Sequence, residues 1–177
     1  MKAVVVYESM YGNTHLVADG IAAGIRDAGG TDAVVARVDV ADAALLDAAD
    51  LLVVGGPTHV HGLSRESTRK AAVEAAQKES SDLVMEPDPE GQGLREWFDA
   101  LGDLDIAAAA FDTRVDAPPA LTGRASKGIG KRLRKHGCDL VVEPESFLVT
   151  KETHLVDDEE THARGWGAGV ARAWAAR

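Results

Sequence analysis

The most chemically suggestive stretch is the turn after the first apolar run: Glu8, Ser9, Met10, Tyr11, Gly12, Asn13 and Thr14, leading straight into a segment with helical spacing. Ser9 and Thr14 carry hydroxyls, Asn13 an amide, and Gly12 lets the backbone turn and come close to a ligand. A helix start leaves its first N–H groups without partners, and its dipole favours an anion there. These features make a phosphate cradle built from neutral donors. The same residues also suit a plain helix cap, because Ser, Asn and Thr are common there without any ligand. The turn has neither the lysine and spacing of a nucleoside-triphosphate P-loop nor Gly-x-Gly-x-x-Gly, which argues against ATP hydrolysis and dinucleotide binding.

The elements that must position this turn follow from hydrophobic patterning. Short Val-, Leu- and Ala-rich runs alternate with longer segments at helical spacing, the pattern of a parallel sheet with covering helices. Strands are expected at 3–7, 33–38, 51–55, 105–111 and 139–149, the last broken near Pro144, which has no N–H to give the ladder. Helices fit 14–28, 43–48, 65–78, 93–101, 125–136 and 158–176, and residues 79–92 form an acidic connection between two of them. Trp97 and Phe98 are expected to anchor the helical segment at about 65–104, while Trp166 and Trp174, eight apart on the last helix, share a face that packs on the sheet.

With 177 residues, of which 45% are hydrophobic, the chain is expected to fold as a single domain, 1–177, with a core of its own. A formal charge of −10 repels nucleic acid and anionic membranes. No apolar run approaches a membrane span, and Met1 and Lys2 lead into Ala3 and Val4 without a signal-peptide layout, so a cytoplasmic location is expected. Cys138 is the only cysteine, which excludes an internal disulfide and a cysteine-rich zinc site; no metal site is expected.

A strand followed by Ser9-x-x-Gly12-Asn13-Thr14, then Gly55-Gly56-Pro57-Thr58 after the third strand, resembles the flavodoxin family of FMN-binding proteins over most of the chain. The resemblance implies a three-layer α/β/α fold on five parallel strands in the order 2-1-3-4-5, with FMN held noncovalently where the strand order reverses. It implies that Ser9, Met10, Tyr11, Gly12, Asn13 and Thr14 wrap the FMN phosphate. Two further loops would flank the isoalloxazine ring: Pro57, Thr58, His59, Val60, His61 and Gly62 after the third strand, and Asp112, Thr113 and Arg114 after the fourth.

This chain departs from the family in having no aromatic residue in either of those two loops. Stacking would then fall to an imidazole, the guanidinium plane, Tyr11 or peptide planes. Arg114 either stabilises an anionic reduced flavin or forms a surface ion pair with Asp112 or Asp116, and His59 and His61 either shuttle protons or simply sit on a surface loop. Lys127, Lys131, Arg132, Arg134, Lys135 and His136 make a basic stretch: a solvated helix face, a docking surface for an acidic partner, or a site for a phosphorylated nicotinamide.

The expected function is therefore an electron carrier that takes electrons from a reductase and passes them to an acceptor protein. The alternative is an FMN-dependent oxidoreductase acting on a quinone or similar small aromatic substrate, and a third reading is a fold that has lost its flavin and serves only in interactions.

Overall fold

The structure is a computed structural model that describes residues 2–29, 31–59, 61–77, 83–88 and 91–177. Ala3, Val4, Val5 and Val6 are apolar on both faces, which suits a strand covered on both sides. They lie in the central β1, Lys2–Tyr7. It is flanked by β2, Asp32–Arg37, and β3, Leu51–Pro57, and β3 in turn pairs with β4, Ala107–Val115. All of these pairs are parallel, and the sheet runs β2-β1-β3-β4 to a fifth position shared by β5, Asp139–Leu140, and β6, Glu145–Val149.

That fifth strand is broken where expected. β4 advances from Ala108 to Phe111 while the outer strand runs from Leu140 to Glu145, so the outer strand carries two extra residues in the stretch that holds Pro144. A proline there costs the ladder a donor, and the strand resumes beyond it.

Seven helices are present among the described residues: α1, Asn13–Asp27; α2, Ala43–Asp47; α3, Glu66–Ala76; α4, Leu94–Ala100; α5, Pro119–Thr122; α6, Ala125–Lys135; and α7, Glu159–Ala175. Side-chain alternation along the strands divides the core in two. On one face, Val4, Val6, Leu52, Val54, Ala108 and Ala110 meet Leu46, Leu94, Trp97, Phe98, Ile129 and Leu133 from α2, α4 and α6. On the other, Val5, Leu51, Val53 and Phe111 meet Val17, Ile21, Ile25, Ala163 and Val170 from α1 and α7, with Trp166 and Trp174 half-buried against them. Trp97 is held further by its indole N–H, which donates to the Ala41 carbonyl at 2.9 Å.

The structure corrects several expected boundaries. The third strand runs to Pro57 instead of ending at residue 55, so Gly55, Gly56 and Pro57 are paired with Phe111, Asp112 and Thr113 and do not follow the strand. The fourth strand begins at Ala107 and runs to Val115 instead of ending at residue 111. Asp112, Thr113 and Arg114 thus lie on its C-terminal end, paired with Ser146, Phe147 and Leu148, and do not form a free loop. The short α5 was not expected, and the helix expected at 65–78 is described as far as Ala76; Lys78 and part of the acidic connection lie outside the described residues.

Candidate functional site

At the C-terminal edge of the sheet, β1 delivers its last residues to the turn that starts α1. Gly12 caps that helix at φ 86°, a left-handed conformation that favours glycine. Its N–H donates to the Ser9 hydroxyl at 3.1 Å, which closes the turn and leaves the hydroxyl hydrogen free for a ligand. Asn13 and Thr14 open α1, so their backbone N–H groups precede the first intrahelical acceptors. The Asn13 side chain donates to the Thr153 carbonyl at 2.7 Å, tying the turn to the loop between β6 and α7. Thr14 Oγ1 and Thr113 Oγ1 share a buried hydrogen bond of 2.8 Å, which locks the turn to the end of β4.

The second segment leaves β3 and folds back on itself. His59 and Gly62 exchange backbone hydrogen bonds, 2.7 and 3.0 Å long, and His61 has a φ of 70°. Thr58 fastens the segment twice: its N–H donates to the Thr113 carbonyl at 2.8 Å, and its hydroxyl accepts from the Ala125 N–H at 2.9 Å. Burial, reinforced by the field of Arg69, lowers the His59 pKa below the usual imidazole value, so the ring is neutral at pH 7.

These segments enclose a cleft of about 170 Å³. Met10, Tyr11, Asn13 and Thr14 line one side; Pro57, Thr58 and His59 line another, and Thr113 and Arg114 close it. His61, Gly62 and Asp112 do not line it, nor do Ser9 and Gly12, whose mutual hydrogen bond closes the turn. Val60 lies outside the described residues. Asp112 is instead fully buried, accepting from the Ser126 N–H at 2.7 Å to anchor the start of α6. Three lining residues escaped the sequence reading: Val115, Val149 and Thr153. Val149 and Thr153 come from the last strand and its exit, where Thr153 adopts φ 68°, and no motif marks them.

The Arg114 guanidinium bonds to neither Asp112 nor Asp116. Its Nη1 donates to the carbonyls of Val115 and Ala117, and its buried Nε has no partner among the described residues. Beneath the first turn lies a further polar cluster. Glu8, almost fully buried, accepts from the Leu94 N–H at 2.8 Å and from the Ser64 hydroxyl, and buried Arg69 donates to that hydroxyl at 3.2 Å. Burial pushes the Glu8 carboxyl above the usual carboxylate range despite these donors. Glu86 also reaches the turn: its N–H donates to the Met10 carbonyl at 2.9 Å and its carboxylate meets His15 Nδ1 at 3.0 Å.

The family model for flavodoxin matches residues 5–166, which takes in the whole sheet beyond the first residues of β1. The chain belongs to the flavodoxin family. No curated protein sequence matches it. Among solved structures, it is similar to a flavodoxin from the domain Archaea at 20% identity and TM-score 0.66, covering 99% of each chain. Oxidised flavodoxin 1 from Bacillus cereus shows 23% identity and TM-score 0.66, over 97% of this chain and 98% of that one. A flavodoxin, WrbA-like protein from Agrobacterium tumefaciens shows 24% identity and TM-score 0.60, over 99% and 98%. At these identities the likenesses speak for the fold.

The flavodoxin cofactor is FMN, and the residues present fit it. No carboxylate lines the cleft among the described residues, and the first turn offers the Ser9 hydroxyl and the opening N–H groups of a fifteen-residue helix to an anion. The orphaned Arg114 Nε adds an unsatisfied donor in a residue of the cleft wall. Ser9, Asn13 and Thr14 would hold the phosphate end, and Pro57, Thr58, His59, Thr113 and Arg114 would flank the ring.

Proposed function

We propose that this flavodoxin is a single-domain cytoplasmic electron carrier, taking electrons from a reductase and passing them to an acceptor protein. The family match over residues 5–166 carries this reading, and the cleft is lined by the turn and strand-end residues that would hold the cofactor. FMN, when bound, supplies the electron-accepting and electron-donating chemistry. The chain's own contribution is to grip the phosphate with neutral donors, fix the ring between the β3 and β4 ends, and leave an edge of the site open.

A second reading rests on His59. A neutral, half-buried imidazole at the cleft can deliver or accept a proton, as a quinone oxidoreductase requires. Incubating FMN-loaded protein with NADH or NADPH and a quinone, with no added reductase, separates the two. The carrier gives no sustained turnover; multiple turnovers that fall in a His59→Gln variant would replace it with the enzyme.

A further inference from the structure

We propose that a band of unpaired cations, running from the rim of the FMN cleft down α6, is the docking face for an acidic redox protein. The inference rests on the carrier reading and goes beyond it by naming the chemistry of the partner.

On α6, Lys127, Lys131 and Lys135 recur every four residues and form one stripe, with Arg132 and Arg134 beside it. None of the five has an ion pair among the described residues. Elsewhere several cations are paired, including Arg37 with Asp39, Arg69 with Glu96 and Arg164 with Asp27. In a protein of net charge −10, carboxylates to neutralise this stripe are abundant, yet among the described residues none forms an ion pair with it.

The stripe continues to the cofactor site. Between α4 and α6 lies an open cleft of about 610 Å³, floored by Phe98 and Leu101 and edged by Lys131, Arg132 and Lys135, with Asp99 the one carboxylate lining it. A second cleft of about 200 Å³ brings Arg65 and Arg95 together with His59, which also lines the FMN cleft. Arg95 joins the two. It stands one turn before Asp99 on α4, it is tied by Nε to the Ser64 carbonyl at 2.8 Å, and burial together with the fields of Arg132 and Arg65 holds its pKa below the usual guanidinium value. Positive charge thus runs from Arg65, which shares a cleft with His59 at the rim of the FMN site, through Arg95 and Arg132 to Lys135.

The length of the band identifies the kind of partner. From Lys127 to Lys135 the stripe on α6 spans about 12 Å, more than a small anion reaches. Its far end is also remote from the flavin: the His136 carbonyl accepts from the Leu104 N–H, just before β4 starts, whereas the FMN cleft lies at the other end of that strand. A nicotinamide seated there could not pass hydride to the ring. Nucleic acid and anionic membranes present charge over a wide area and meet the repulsion of the remaining acidic surface. A protein with a local acidic patch meets the band alone, and the attraction speeds its encounter.

The test uses reduced, FMN-loaded protein mixed in a stopped-flow instrument with an acidic b-type cytochrome, with basic cytochrome c, and with neutral benzoquinone. The acidic cytochrome should be reduced faster than the basic one at low salt, and its rate should fall about tenfold as added salt shortens the screening length from roughly 30 to 8 Å. A Lys131→Glu/Lys135→Glu variant, changed only at exposed positions, should lose about tenfold with the acidic cytochrome and keep its rate with benzoquinone. Faster reaction with the basic cytochrome, or an acidic-cytochrome rate indifferent to the charge reversal, would overturn the docking face and leave the carrier standing. Failure of the unmodified holoprotein to reduce benzoquinone would remove the carrier reading and the docking face with it. Binding of a twenty-nucleotide DNA strand that the double variant abolishes would also overturn it.

Discussion

Thr14 connects the phosphate turn to the end of β4 through the Thr113 hydroxyl, and Asn13 connects it to the loop after β6 through the Thr153 carbonyl. Replacing either with Ala removes a donor near the phosphate and frees the turn from its brace. Each substitution should weaken FMN binding by about 1–3 kcal/mol, roughly 5- to 150-fold in Kd. Fluorescence titration checks this, with riboflavin as the control that lacks the phosphate; unchanged FMN affinity in both variants would place the phosphate elsewhere. His59 gives a pH signature. Its folded pKa lies below the unfolded value near 6.5, so the unfolded chain binds its proton first. The stability it contributes is complete above pH 6.5 and is lost as pH falls through that value toward the folded pKa. Urea unfolding at pH 7.5 and 5.5 should show a smaller acid loss in His59→Gln than in the parent; equal losses would mean that the imidazole is not held neutral by burial.

Among the elements, the α1–α7 crossing sets the tightest constraint. A Cβ on Gly24 would lie 1.9 Å from the Arg164 carbonyl oxygen, and one on Gly167 would lie 2.2 Å from that of Ile21. The helices approach so closely that neither backbone has room for a methyl group. Gly24→Ala and Gly167→Ala should each destabilise by at least the 1–3 kcal/mol typical of overpacking, whereas Gly169→Ala, with nothing within 4 Å, should stabilise by about 0.5–1 kcal/mol through helix propensity. Thermal melts of the three variants decide it; equal behaviour would mean that the crossing is looser than its geometry. Such contacts are invisible in sequence, because the two glycines look like ordinary weak points in helices. The strands were legible because both faces of the sheet are buried, which makes Val4 to Val6 and Leu51 to Val54 continuously apolar. The end of β4 was not: Asp112 and Arg114 carry turn-like polarity, but Asp112 is spent on the Ser126 N–H and Arg114 on two carbonyls, so polar residues continue the strand. The phosphate turn could be read from its hydroxyls and Gly12, whereas Thr153 contributes a backbone carbonyl that any residue type would supply.

At the scale of the whole molecule, one cleft gathers residues from the turn after β1, the ends of β3 and β4, β6 and the loop that leads to α7. Segments far apart in the chain are joined there by a few polar bonds, including Thr14 to Thr113, Asn13 to Thr153 and Thr58 to Ala125. A ligand that touches all of them binds only the folded chain, so its free energy of binding adds to global stability. At 100 times its Kd, FMN should add about 2.7 kcal/mol, which for a chain of this size raises Tm by roughly 5–10 °C. Riboflavin at the same concentration should give a smaller rise, because the first turn then holds no anion. Differential scanning calorimetry of the apoprotein with each ligand tests this. Equal shifts would show that the ring alone supplies the stabilisation, and the Ser9, Asn13 and Thr14 cradle would lose its part in holding the cofactor.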